Sequence, residues 1–348
     1  MTIALSCAPS ANTASANTAS ANVASPNTAA APLHTSEKPA ECTQAEPLRY
    51  SFGAMTTRCE LQFYGVTPAV GLSLAQAIEA RVAGLVERFN FHAPGSWLNR
   101  TINNRTFNRV PIDAESASIL ACVHEHSLNT QGAFDITVGT LAERLKRART
   151  VAEVEMVQKH LAPYRGIECW WLEARHLCFD NSITRIDLGG VIKEYAVDVS
   201  AQMARAAGVS GALINYGGDL YALGRKPDGA RFVSAVVNPL APERLLFGLD
   251  LEDQSLTTSA HYARNRLLKA TAKHPAQRLS HIVDRLDAAG RDTRWISATV
   301  VSGSTLVSGI YSTALLLHAD LPLPEGVTAV VVDAAGLIHN RIGASPDT

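Results

Sequence analysis

The sequence predicts an α+β fold, with mixed sheets packed against helices. Three observations carry that prediction. Strand-like and helix-like segments mix without regular β-α-β alternation, which disfavours a doubly wound parallel sheet. Several runs of alternating apolar residues lie close enough to pair as hairpins. The 348 residues are 47% hydrophobic and 18% charged, enough for one large core or two close-packed lobes.

Residues 1–45 are set apart as a low-complexity tail and 46–348 as the folded domain. The pentad Ala11-Asn12-Thr13-Ala14-Ser15 repeats at Ala16 to Ser20 and then drifts. It carries no charge and no large apolar residue beyond Val23, so ordering it gains too little buried surface to offset the entropy. A flexible tail or tether is expected.

Residues 48–52 and 59–64 alternate like paired strands. Residues 74–89 read as a helix, with Leu74, Ile78, Val82, Leu85 and Phe89 on one face. Pro94-Gly95 marks a loop over 91–96. Residues 114–130 read as a second helix, 141–149 as a third, basic one, and 151–160 as a fourth. Residues 167–179 form a hairpin pattern, and 191–207 a helix that Gly208 caps. Strands are expected at 212–216, 220–223, 232–237, 245–251 and 256–259. The apolar run 295–301, a helix at 309–318 and a final strand at 327–332 complete the series.

Net charge is −1, and no basic stripe points to nucleic acid. The six cysteines include no Cys-x-x-Cys pair, so isolated thiols are expected rather than a metal site. No run of eighteen or more apolar residues occurs, so no membrane-spanning helix is expected.

The segment 185–198 is the most informative. Asp187, Gly189-Gly190 and Lys193 open an amphipathic helix. Paired glycines at a helix start let backbone N–H groups approach a phosphate, and lysine is a good point-charge partner for one. The plainer alternative is a strand-to-helix turn with a solvated lysine. Gly217-Gly218-Asp219 ends the next apolar run, as either a cofactor nest or a tight turn. Asp135 and Thr137 precede a helix, where both residue types also serve as N-caps. His281 stands before two β-branched residues and Asp284, open to a structural or a binding role.

These blocks together resemble the FAD:protein FMN transferase (ApbE-like) family. Residues 133–139, 257–259, 280–284 and 312–315 resemble further family blocks in the family's order, and Met55-Thr56-Thr57 resembles its opening Met-Gly-Thr. The match spans about 50–340. The resemblance implies an α+β fold and transfer of FMN from FAD to a Thr or Ser hydroxyl of an acceptor protein, with release of AMP. It implies FAD as donor, Mg²⁺ as cofactor, and an acceptor flavoprotein, an electron-transport subunit. It places Met55, Phe91 (or His92), Ala133, Phe134, Asp135, Asp187, Lys193, Gly217, Gly218, Asp219, His281 and Ile282 around the cofactor. It gives the metal the Gly190 carbonyl and the Thr313 hydroxyl. It names no catalytic residue here.

The chain departs from the family at five positions. The metal-binding Asp is Gly309, and the Gly after the lysine is Glu194. Ala260, Arg285 and Thr56 replace a Gly, a Pro and a Gly. The sequence therefore predicts an impaired metal site that Gly309→Asp would repair. The alternatives are a flavin-binding protein of the same fold without transfer, or an FAD hydrolase. The family is often exported as a lipoprotein. Ala4-Leu5-Ser6-Cys7 resembles a lipobox, but no basic or long apolar stretch precedes it. As written the chain is expected in the cytoplasm, or in the periplasm or on a membrane if the true start lies upstream.

Overall fold

Alternation over the first folded residues builds a hairpin. β1 (Leu48–Ala54) and β2 (Thr57–Tyr64) pair antiparallel without a break, and Cys59, Leu61 and Phe63 of β2 face the core. The computed structural model describes residues 46–260, 265–271, 277–280 and 294–343. The expected tail lies outside the described residues, as do His281, Ile282 and the rest of the 281–284 block.

α1 (Pro68–Phe89) starts earlier than its apolar stripe suggests. Thr67 accepts a hydrogen bond from the Val70 N–H, and Pro68 occupies the first turn, where a missing N–H costs nothing. By length and composition α1 could cross a membrane, yet its stripe from Leu74 to Phe89 packs on β1 and on a later helix. A wide turn of π type, Leu98–Asn103, follows, then a short strand β3 (Arg109–Pro111) and α2 (Ala114–Asn129), capped by Asp113. α3 (Gly139–Arg147) and α4 (Val151–Leu161) share a small apolar cluster of Leu141, Leu145, Val151, Val154, Leu161 and Leu268. The expected hairpin is β4 (Trp170–Glu173) with β5 (His176–Phe179), and β3 adds to its edge.

α5 (Ile192–Ala206) leads into β6 (Gly211–Tyr216) and β7 (Asp219–Gly224). β8 (Phe232–Asn238) and β9 (Ala241–Leu251) form a separate ribbon, followed by β10 (Gln254–Ala260). β11 (Asn265–Leu268) and β12 (Gln277–Ser280) pair with each other. β13 (Trp295–Ser302), α6 (Thr305–Leu317), β14 (Thr328–Asp333) and β15 (Ile338–Ile342) close the chain.

The main sheet has eight strands in the order β1-β2-β6-β7-β10-β13-β14-β15, every pair antiparallel. Helices α1, α5 and α6 cover one face over the main core. The β8–β9 ribbon covers part of the other, where Phe232, Val236 and Leu251 bury Leu220, Ala222 and Leu256. This is the expected α+β architecture. The sequence reading lacks β3, β11, β12 and β15. β15 is a half-exposed edge strand with Ile338 and Ile342 facing outward, so its pattern carries no core signal.

Candidate functional site

Two hairpin turns meet at one end of the sheet. Met55 and Thr56 form the β1–β2 turn at φ 50° and 61°, a conformation in which a β-branched residue is strained. Gly217 and Gly218 form the β6–β7 turn at φ 65° and 103°. β2 pairs with β6, Cys59 opposite Tyr216, so the turns lie side by side. A Cβ on Gly217 would fall 2.1 Å from the Thr57 hydroxyl, so only glycine fits there. The Gly218 N–H donates to Asn215 Oδ1 at 2.8 Å and pins the turn. Asp219 follows, 3% exposed, and its carboxylate pairs with Lys193 Nζ from the first turn of α5. Burial pushes the nearby Cys59 thiol up to about 11, although Lys193 opposes it.

A second group of residues surrounds Asp187. Its N–H donates to the Ile136 carbonyl at 2.8 Å, and its Oδ1 accepts from the Gly189 N–H at 2.9 Å. Burial raises its carboxyl above the ordinary range, opposed by that N–H and by the positive potential of His92 and Lys146. Lys146 Nζ lies 3.1 Å from His92 Nδ1. Two asparagines hold this region together. Asn103 pairs with both backbone groups of Ile186, at 2.9 and 2.8 Å, and donates to Asn99 Oδ1. Asn99 donates to the carbonyls of Phe91 and Ala93. The π-type turn therefore fixes the 91–93 loop against the 185–187 segment, and turns of this kind recur at functional sites. Gly139 allows the same segment close approach, since a Cβ there would fall 2.8 Å from the Ile186 carbonyl carbon.

A third group lines the groove between α5 and α6. Asp198 reaches the start of α6 and accepts from the N–H groups of Thr305 and Leu306 at 2.7 and 3.0 Å, and from Ser304 Oγ at 2.8 Å. Burial pushes its carboxyl above the usual range, against the pull of these donors. One helical turn before it, Glu194 is 6% exposed and packs against Gly309 of α6. Its Oε1 lies 3.5 Å from Lys193 Nζ, and its Oε2 has no partner among the described residues. One turn further along α6, Thr313 Oγ1 sits 3.3 Å from Ser259 Oγ, which also meets Ser312 Oγ at 2.9 Å. Among the described residues no three His, Cys, Asp or Glu side chains gather as a metal cage. A hard cation here would draw on mixed carboxylate, hydroxyl, carbonyl and phosphate oxygens, as Mg²⁺ commonly does.

The ApbE family model matches residues 55–322. This chain belongs to the ApbE family. A curated relative from Vibrio cholerae, named FAD:protein FMN transferase, is 23% identical over 260 residues, covering 72% of this chain and 76% of its own length. One of the same name from Klebsiella pneumoniae is 25% identical, covering 76% and 84%. The crystal structure of an ApbE protein from Thermotoga maritima superposes with a TM-score of 0.72 at 21% identity, over 85% of this chain and 97% of that one. The flavin transferase ApbE from Vibrio cholerae gives 0.69 at 19% identity, over 86% and 98%.

In this ApbE-family fold the three groups join through the segment 187–194. Gly217, Gly218, Asp219 and Lys193 meet at the sheet end, with Met55 in the adjacent turn. Phe134 is buried, its ring 3.9 Å from where a Cβ of the exposed Gly190 would stand. Ala133 is partly buried beside the core. Two residues have local contacts of their own. The Phe91 ring is only 8% exposed and stacks edge-on against His92, so His92 is the ring facing outward, beside Asp187. The Asp135 carboxylate accepts from the Thr137 N–H and hydroxyl and caps the short helical turn Ile136–Val138, which is the plainer of its two readings. Sequence reasoning missed Asn99, Asn103 and Asp198. Only Asp198 carried a signal, four residues after Glu194 on the same face of a helix.

Proposed function

We propose that this chain is an FAD:protein FMN transferase. The observation that carries the reading is the meeting of three blocks that resemble the family's, 55–57, 187–194 and 217–219, at one end of the sheet around Lys193 and Asp219. Membership of the family and relatives bearing that name support it.

The acceptor protein's Thr or Ser hydroxyl oxygen bonds to the FMN-side phosphorus of FAD. The P–O bond to the AMP phosphate breaks, the hydroxyl proton is lost, and AMP leaves. The exposed Gly189-Gly190 turn and Lys193 hold the diphosphate, with Asp219 fixing the lysine. His92 and Phe134 bound the flavin side of the pocket, and Asp187 orients the turn through the Gly189 N–H. His281 and Ile282 are proposed to line the same pocket on the resemblance alone. Gly190, through its carbonyl, and Thr313 are proposed as Mg²⁺ ligands on the resemblance, and the buried oxygen of Glu194, which has no partner among the described residues and lies against Gly309 one turn from Thr313, is consistent with a cation there. Mg²⁺ bound there would neutralise charge on the diphosphate, a main source of catalysis in such transfers.

The test is incubation with FAD, Mg²⁺ and an acceptor peptide carrying a single Thr, followed by mass spectrometry. Addition of one FMN to the peptide with an equal yield of AMP is expected. Release of free FMN and AMP with an unmodified peptide would replace the reading by hydrolysis.

A further inference from the structure

Two positions that the resemblance marks as departures meet in space: Gly309, where it implies a carboxylate, and Glu194, where it implies a glycine. A Cβ at Gly309 would lie 2.5 Å from Glu194 Cγ and 3.2 Å from its Cδ. Glu194 thus occupies the volume that a side chain from residue 309 would need. It is buried, and its Oε2 has no hydrogen-bond partner among the described residues. A buried, unpartnered carboxylate oxygen is costly, so it calls for a ligand that the protein itself does not supply.

The helix register adds an independent argument. α5 and α6 run past each other in opposite directions, since Asp198 meets Thr305 and Glu194 meets Gly309. Each step is four residues, one turn on either helix. The next step leads to Thr313 on α6 and, off the start of α5, into the turn that holds Gly190. We propose that Glu194 supplies, from α5, the divalent-cation carboxylate that Gly309 does not supply from α6, so the metal site is rearranged and not lost. Lys193, 3.5 Å from Glu194 Oε1, holds the carboxylate with its second oxygen free. The assignment rests on the transferase reading, because FAD provides the phosphate oxygens that complete the coordination. It also reverses the sequence expectation for Gly309→Asp. That substitution alone adds a side chain where Glu194 already stands.

The test is Mn²⁺ binding, read by electron paramagnetic resonance in the presence of FAD. Four proteins are compared: wild type, Glu194→Gln, Gly309→Asp, and the exchange Glu194→Gly with Gly309→Asp. Glu194→Gln keeps the volume and removes the charge. It should weaken Mn²⁺ at least roughly tenfold, and the exchange should recover most of that loss. Wild-type affinity in Glu194→Gln would overturn the assignment, as would loss in that variant with no recovery in the exchange. Acceptor-peptide modification separates the two levels. Transfer by the wild type with metal binding indifferent to Glu194 overturns this inference alone. Metal binding dependent on Glu194 without transfer overturns the transferase reading alone.

Discussion

Asp198 and Glu194 are two buried carboxylates on the same face of α5, one turn apart, and both face α6. Asp198 is satisfied. Two backbone N–H groups and a hydroxyl at the start of α6 donate to it, where the helix dipole also favours negative charge. Glu194 is not. Among the described residues one oxygen meets Lys193 at 3.5 Å, and the other has no hydrogen-bond partner. A carboxylate that is fully bonded within the protein has a structural job. One that is buried and left unbonded lowers stability unless something else binds it. The difference assigns Asp198 to holding α6 in place and Glu194 to a ligand.

The largest effect expected from breaking this comparison is that of Gly309→Asp. The new side chain must enter the space of Glu194 and bring a second buried negative charge beside it. A loss on the order of 3 kcal/mol is expected, or roughly 5 °C in thermal midpoint for a domain of this size. Adding Glu194→Gly should recover most of it. A stable single variant would mean that Glu194 moves aside freely.

Asp198→Asn comes next. It removes the charge at the start of α6 and one of the accepting oxygens. A loss of about 1–2 kcal/mol is expected by chemical denaturation. A neutral outcome would show that Ser304, which also caps α6 through the Val307 N–H, is sufficient.

The smallest effect is a dependence on pH that reaches α6 from its other side. The His126 ring is buried against Tyr311 of α6, both its nitrogens lack partners among the described residues, and burial holds it below its ordinary value of 6.5, opposed by Glu125. The folded ring stays neutral while the unfolded one takes up a proton. Stability is therefore retained above about 6.5 and falls as pH drops below that value towards the folded-state pKa. The slope can reach about 1.4 kcal/mol per pH unit. In His126→Phe thermal midpoints between pH 7 and 5 should flatten, and an unchanged slope would place the titrating group elsewhere.

Much of this architecture is legible in the sequence, and the reasons are local. The helix at 191–207 and the strands 212–216 and 220–223 follow from periodicity and from Gly208 and Gly217-Gly218, which punctuate them. The start of α6 is not legible from periodicity. Thr305, Leu306, Ser308 and Gly309 are all buried, so its first turns show no polar face, and Ser304 is the signal that marks the start. α1 is the same case, with Thr67-Pro68 as the signal. The blocks of the candidate site are short local patterns and can be read one by one. Their mutual contacts cannot. Glu194 and Gly309 read as two separate losses because their positions lie far apart in the chain, and only the packing of α5 on α6 brings them together. Asn99 and Asn103 lie in a π-type turn with no periodic pattern to mark them.

The most direct test of the account measures both carboxylates by both criteria. Thermal midpoints without metal and Mn²⁺ affinities with FAD are taken for Glu194→Gln and Asp198→Asn. The account predicts a crossing. Glu194→Gln should keep or raise the metal-free midpoint, because a buried charge with one unbonded oxygen is removed while Lys193 keeps its pairing with Asp219, and it should lose Mn²⁺. Asp198→Asn should lower the midpoint and retain Mn²⁺ once folded. A Glu194→Gln protein that loses stability as Asp198→Asn does, and binds Mn²⁺ as the wild type does, would contradict the division of roles along α5.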